Sequence, residues 1–168
     1  MKNTVIIIPS RLGAKRFPNK PLARINEVPM IVHVINRAKE SRIGDVFVAT
    51  PDDAIFQTVE QNGGKAILTR NDHVSGSDRV YEAYTKKIKN NADLIINLQG
   101  DMPNIKPDSI SKIEKFMRQN KCDIGTLAAP IKNNVDMEDS NIVKVSVLNH
   151  LKNDDFLEVK DFFRLNAV

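Results

Sequence analysis

Residues 4–8 read Thr-Val-Ile-Ile-Ile, five β-branched side chains in a row with no polar alternation. Such a run suits a strand covered on both faces, which belongs to a parallel sheet with helices packed on either side. The chain keeps to that plan. Residues 29–42 carry Ile31, Val34, Ile35 and Ala38 at the i, i+3, i+4, i+7 spacing of one helix face. Residues 46–49 predict a second buried strand, and Asp52 caps a helix that runs to Asn62 and stops at Gly63-Gly64. Residues 65–68 predict a short strand, and residues 77–89 a helix with Val80, Ala83, Tyr84 and Ile88 on one face. Residues 94–98 predict another buried strand, after which Pro107 opens a helix with Ile110, Ile113 and Met117 inward. Residues 124–129 predict a further strand. Val143, Val145 and Val147 alternate with Lys144 and Ser146, which predicts a strand wet on one face. The fold class is therefore α/β, a Rossmann-like three-layer α/β/α arrangement around a mostly parallel central sheet. Such sheets take ligands at the carboxyl ends of their strands, so function is sought just after residues 8, 49, 68 and 98.

Composition removes several alternatives. Of 168 residues, 41% are hydrophobic and 27% charged, and no apolar run approaches a bilayer span. A mainly disordered chain, a collagen, a coiled coil and a membrane bundle are excluded. The apolar run after Met1-Lys2-Asn3 ends at Pro9-Ser10-Arg11, too early for the core of a signal peptide. Cys122 is the single cysteine, which excludes an internal disulfide and any cysteine-based zinc site and predicts a cytoplasmic protein.

The net charge of +4 is modest, but residues 10–24 hold Arg11, Lys15, Arg16, Lys20 and Arg24 with no acid. This segment follows the first buried strand, where a parallel sheet places its ligand. Gly13 and Ala14 let backbone approach a ligand, and successive loop N–H groups can cradle an anion. Arginine offers a planar fork to phosphate oxygens and lysine a point charge, so the combination suits a polyphosphate. The plainer reading is a solvated basic loop, or one that touches nucleic acid. Pro9, Pro18 and Pro21 stiffen the loop and weigh against that reading. Aromatic residues are only 5%, with no Trp, which argues against single-strand stacking platforms. The Walker and dinucleotide glycine patterns are both absent.

Five later residues invite chemistry. Asp101 follows residues 94–98 by a Gln-Gly step, and an acid just beyond a parallel strand can bind Mg²⁺ together with substrate phosphates. It can equally be a turn aspartate before Pro103. His73 is open to three readings: general base, phosphate donor or structural loop residue. Ser75, Gly76 and Ser77 precede a helix, so their N–H groups can face an anion, or Ser77 can simply cap the helix with Asp78 in its first turn. His33 and Cys122 read as structural.

Ile8-Pro9-Ser10-Arg11, then Ala14, Arg16, Pro18 and Lys20-Pro21-Leu22, resembles the opening signature of sugar nucleotidylyltransferases. Three further segments resemble, in order, the 3-deoxy-manno-octulosonate (Kdo) cytidylyltransferase family. These are residues 29–34 (Pro-Met-Ile-Val-His-Val), 69–79 (Thr-Arg-Asn-Asp-His-Val-Ser-Gly-Ser-Asp-Arg) and 97–103 (Asn-Leu-Gln-Gly-Asp-Met-Pro). The resemblance implies a GT-A-like nucleotidyltransferase fold, cytoplasmic, that transfers CMP from CTP to Kdo with Mg²⁺, releasing pyrophosphate, for lipopolysaccharide biosynthesis. It implies that Arg11, Lys20 and Asp101 are catalytic and that Asp101 holds the metal. It assigns the nucleotide to Ser10, Arg11, Gly13, Arg16, Lys20, His73, Ser75, Gly76, Arg79 and Gln99. It assigns the sugar acid to Gln99 and to Arg164, since Asp161-Phe162-Phe163-Arg164 resembles the family's aromatic-Arg segment. The family commonly has Glu where Met102 stands, so that position receives no role. Residues 1–149 correspond to the CTP-binding domain and residues 150–168 to the start of a sugar-binding and dimerisation portion. Roughly the last third of a typical member has no counterpart here, including a second metal-binding aspartate. The chain is therefore expected to be weakly stable and a poor catalyst, and its full-length relatives homodimeric, with no nucleic-acid partner and no membrane insertion. Two alternatives remain: a CMP-sialic acid synthetase-like or other sugar nucleotidylyltransferase, and a non-catalytic nucleotide-binding or RNA-binding module.

Overall fold

The computed structural model describes residues 3–13, 17–89, 91–120, 122–147 and 156–165. In chain order the elements are β1 (Thr4–Pro9), a 3-10 turn (Lys20–Leu22), the short strands β2 (Arg24–Ile25) and β3 (Val28–Pro29), and α1 (Met30–Glu40). There follow β4 (Gly44–Thr50), α2 (Asp53–Gln61), β5 (Ala66–Leu68), α3 (Gly76–Lys87), β6 (Leu94–Asn97) and α4 (Pro107–Gln119). The last elements are α5 (Asn134–Glu138), β7 (Lys144–Val147) and β8 (Val159–Phe163). They fall into two compact units, Met1–Arg118 and Gln119–Val168. No helix among the described residues is long and apolar enough to cross a membrane.

The first unit is a parallel sheet in the order β5-β4-β1-β6. The β-branched run sits inside it, paired on one edge with β4 (Ile6 opposite Val46) and on the other with β6 (Ile6 opposite Ile96). Because strand side chains alternate between faces, that run feeds two separate cores. Ile6 and Ile8 pack with Ile31, Val34 and Ile35 of α1, Ile55 and Val59 of α2, and Ile110 of α4. Val5 and Ile7 pack with Val80 and Ala83 of α3. Ile6, Ile7 and Ile8 are all fully buried. Each contributes ~1.5–3 kcal/mol by leaving water. The result is the three-layer α/β/α sandwich that the sequence predicts.

Helix ends follow local chemistry. Gly63 adopts φ 69, its N–H donates to Glu60 O, and the N–H of Gly64 donates to Val59 O. This is a left-handed stop that a residue without Cβ adopts at little cost. Ser75, not Ser77, caps α3: its Oγ accepts the Asp78 N–H at 3.1 Å, and the Asp78 carboxylate accepts the Ser75 N–H at 3.1 Å. That reciprocal box needs an acid three residues after the cap, which Ser75 has and Ser77 lacks. His33 is structural, its Nε2 lying 2.9 Å from Ile25 O and tying the β2–β3 ribbon to α1.

Three expectations are corrected. The strand at residues 94–98 is not covered on both faces: Ile95 is 36% exposed and Asn97 is exposed. It is an end strand of its sheet, and only β1 pairs with it among the described residues. Residues 124–129 form no strand, and Ile124 is largely exposed. An apolar run becomes a strand only where a partner offers its N–H and C=O groups, and none does so here among the described residues. In the second unit, β7 pairs antiparallel with β8, but the alternation is inverted at its start. Val143 is exposed while Lys144 is buried, because the Lys144 ammonium donates to the Asp139 carbonyl. A hydrogen-bonded head lets a long aliphatic stem lie buried.

Candidate functional site

The sheet order places the reversal of winding at β1. The chain leaves β1 for β4 and β5 on one side, then returns to β6 on the other. In open α/β sheets the crevice at such a reversal, beyond the carboxyl ends of the strands, takes the ligand. Here those ends are Pro9-Ser10-Arg11 after β1 and residues 98–101 after β6. They come close because residue 100 is glycine: a Cβ there would stand 2.9 Å from Pro9 O.

The loop after β1 is tied down at its neck. The Ser10 N–H donates to Ala49 O at 2.9 Å, and the Leu12 N–H donates to the Asp52 carboxylate at 2.8 Å. Ser10 is only 7% exposed, and its Oγ is buried without a hydrogen-bond partner among the described residues. Such an orphan hydroxyl costs free energy and marks a place where a ligand can supply the missing partner. Further on, Lys20 Nζ donates to Asp101 Oδ2 at 2.8 Å, joining residues 81 apart in sequence.

The opposite wall comes from the segment before α3 and the helix's first turns. Arg79 is buried, and its Nη1 donates to Thr69 Oγ1 at 2.6 Å and Arg70 O at 2.9 Å. Burial, and after it the nearby Arg11 cation, push the Arg79 pKa down, while Asp52, Glu82 and Asp72 act in the opposite sense. His73 Nε2 meets the Glu82 carboxylate, which also accepts the Arg70 N–H and the Lys86 ammonium. Burial works against ionisation of Glu82, but hydrogen bonds from Lys86, His73 and Arg70 outweigh it and bring its pKa to about 2. The Ser75 hydroxyl, followed by its N–H, holds the Asp78 pKa below its usual value.

These walls enclose a cleft of about 190 Å³ lined by Pro9, Ser10, Arg11, His73, Val74, Ser75, Gly76, Arg79 and Gln99. Seven residues assigned from the resemblance thus line one cavity: Ser10, Arg11, His73, Ser75, Gly76, Arg79 and Gln99. Lys20 and Asp101 pair with each other but are not among its lining residues. Gly13 is exposed outside it, and a Cβ there would meet nothing within 4 Å. Arg16 lies outside the described residues. Arg164 belongs to the second unit, where its Nη1 donates to the carbonyls of Ser140 (3.1 Å) and Asn141 (2.8 Å). Sequence reasoning missed Asp52 and Glu82 as parts of the site. Asp52 follows a strand end where ligands were sought, yet its position before a helix made it read as a cap. Glu82 was hidden as one more acid on a helix surface.

Asp101 offers one carboxylate, a donor of the kind a hard cation takes, and Lys20 Nζ engages it at 2.8 Å. Among the described residues no group of three or more His, Cys, Asp or Glu side chains could hold a metal. Magnesium typically needs only one or two carboxylates when phosphate oxygens and water complete its shell. The Asp101 side chain is about half exposed, at 54%.

The sequence profile of the family described as "Cytidylyltransferase" matches residues 5–166. The chain is 47% identical over 146 residues to the 3-deoxy-manno-octulosonate cytidylyltransferase of Methylorubrum extorquens (strain PA1), covering 86% of this chain and 59% of that protein. It is also 47% identical over 148 residues to the enzyme of that name from Thermodesulfovibrio yellowstonii, covering 84% and 58%. Among solved structures it is similar to CMP:2-keto-3-deoxy-manno-octonic acid synthetase complexed with CTP. The TM-score is 0.80 at 38% identity, over 96% of this chain and 64% of that one. The chain therefore spans less than two thirds of the length of these relatives.

Proposed function

From the premise that the chain belongs to the cytidylyltransferase family, we propose that it binds CTP at the β1–β6 crevice and serves transfer of CMP to Kdo. The observation that carries this reading is the meeting of the basic loop with the strand-end carboxylate, Lys20 on Asp101 at 2.8 Å, beside a cleft whose Ser10 hydroxyl has no partner among the described residues. The names of the most similar relatives and the CTP complex support it.

In this reading Arg11, Arg16 and Lys20 hold the triphosphate, and Ser10, His73, Ser75, Gly76, Arg79 and Gln99 surround the rest of the nucleotide. Gln99 serves the acidic sugar, and Arg164, in the second unit, is by its resemblance a separate candidate for the sugar's carboxylate. The anomeric hydroxyl of Kdo gives its proton to solvent as its oxygen bonds to the α-phosphorus, the bond from that phosphorus to the bridging β-phosphate oxygen breaks, and pyrophosphate leaves with the electron pair. Such transfers depend on alignment and charge neutralisation more than on a protein nucleophile. Asp101 would hold Mg²⁺, which neutralises phosphate charge when bound. The Arg11 and Lys20 cations face the charge that develops on the leaving pyrophosphate. A CTP-dependent reaction that supplies lipopolysaccharide assembly belongs in the cytoplasm, with the full-length relatives homodimeric.

Calorimetry with CTP in the presence and absence of Mg²⁺ tests the nucleotide assignment, and a chain that binds no CTP overturns it. Assays of CTP with Kdo against CTP with sialic acid test the acceptor. Product from sialic acid and none from Kdo rejects the Kdo assignment while leaving the nucleotide site standing.

A further inference from the structure

Asp52 occupies the N-cap position of α2, where an aspartate ordinarily accepts an N–H of the helix's own first turn. Here its carboxylate makes no such bond. It reaches instead to the Leu12 N–H, 40 residues earlier, at 2.8 Å. Its backbone is set by Thr50, a fully buried residue whose Oγ1 accepts the Asp52 N–H at 3.1 Å. Leu12 in turn is held at every point. Its side chain packs against the core of Ile6, Ile8 and Ile31, its N–H goes to Asp52, and its carbonyl accepts the Asn19 N–H at 3.3 Å. On either side stand Arg11, which lines the cleft, and Gly13. Asp52 also acts electrostatically on buried Arg79, in the sense opposite to Arg11.

We infer that Asp52 is a positioning residue: its carboxylate fixes Leu12 and thereby places the adjoining Arg11 at the cleft, while making no side-chain bond to its own helix. This inference rests on the nucleotide reading above. Loop cations repel one another, and a cation held beside a fixed neck approaches phosphate with less ordering to be done on binding. The useful part of Asp52 is an acceptor oxygen at one place, and its negative charge is secondary.

The test compares Asp52→Ala and Asp52→Asn in the 168-residue chain by calorimetry with CTP and CMP, with thermal melts as the check on folding. Asp52→Ala is expected to weaken CTP about fivefold to tenfold, the equivalent of one hydrogen bond. CMP, which lacks the outer phosphates, should lose much less. Asp52→Asn keeps an acceptor oxygen for Leu12 and removes a negative charge near the cations, so its CTP affinity should equal or exceed that of the parent chain. Equal weakening by Ala and Asn, or unchanged CTP affinity in Asp52→Ala, overturns the inference. Equal losses for CTP and CMP also overturn it, because a general structural role would produce them. A parent chain that binds neither nucleotide rejects the underlying nucleotide reading and this inference with it, an outcome distinct from any difference between the variants.

Discussion

Lys20 Nζ donates to Asp101 Oδ2 at 2.8 Å, so the loop after the first strand closes onto the turn after the fourth strand of the sheet. Both side chains are solvent-accessible, at 35% and 54%. An exposed pair of this kind contributes about 0–1 kcal/mol to stability. Its position therefore matters more for a ligand than for the fold. Lys20→Ala should melt close to the parent chain yet lose about tenfold in affinity for CTP and far less for CMP, since its proposed contact is to the outer phosphates. Asp101→Asn should remove the Mg²⁺ dependence of CTP binding with the fold intact. Calorimetry with and without Mg²⁺ reads both, and equal losses for CTP and CMP in Lys20→Ala would refute the placement.

Gly100 and Gly13 give a matched pair of substitutions. A Cβ at residue 100 would lie 2.9 Å from Pro9 O, 3.5 Å from Ile8 Cγ2 and 3.6 Å from Ile31 Cδ1. Gly100→Ala should therefore push the Asp101 turn away from β1, cost about 1–3 kcal/mol in stability and weaken CTP. Gly13→Ala meets nothing within 4 Å and should leave the melting temperature unchanged. Denaturant titration of the two variants checks the contrast, and equal stabilities would show that the Gly100–Pro9 approach is not close in solution.

The Ser10 hydroxyl predicts an inverse relation between stability and binding. A buried, unpartnered hydroxyl carries a desolvation penalty of about 1–3 kcal/mol, and Ser10 Oγ is such a group among the described residues. Ser10→Ala should hold or raise the melting temperature of the free chain and reduce the stabilisation gained on adding CTP. A variant that melts clearly lower without ligand would mean that the hydroxyl is satisfied in the free protein.

Glu82 sets an acid limit. Its pKa is lowered from the ordinary 4.5 to about 2. The folded state therefore binds this proton less readily than the unfolded chain does. The stabilisation is complete above about pH 4.5 and disappears as pH falls toward 2. Glu82→Gln should melt lower than the parent chain at pH 7, and the gap should close across that window. A gap that stays constant from pH 7 to pH 2 would show that the carboxylate contributes no proton-linked stability.

Much of the fold is legible in residues 4–8 and in the helix-period faces. A β-branched run of that length must be covered on both sides, and Ile6 and Ile8 against Val5 and Ile7 define the two cores by strand alternation alone. Residues 94–98 and 124–129 carry the same local signal and turned out differently. Whether an apolar run is covered, or pairs at all, depends on elements remote in sequence. Lys144 reversed its expected face because a carbonyl at Asp139 was within reach of its ammonium. Of the residues named from the resemblance, seven line one cleft.

By itself, then, the sequence determined the α/β architecture, the basic loop after the first strand and the acid after the fourth, because periodicity and local charge are written residue by residue. Only the tertiary structure decided that Lys20 reaches Asp101, that Asp52 serves Leu12 in place of its own helix, and that Ser10 keeps a hydroxyl without a partner among the described residues. Each of these depends on strand order and close approach between distant segments, and neither is encoded in any local run of residues.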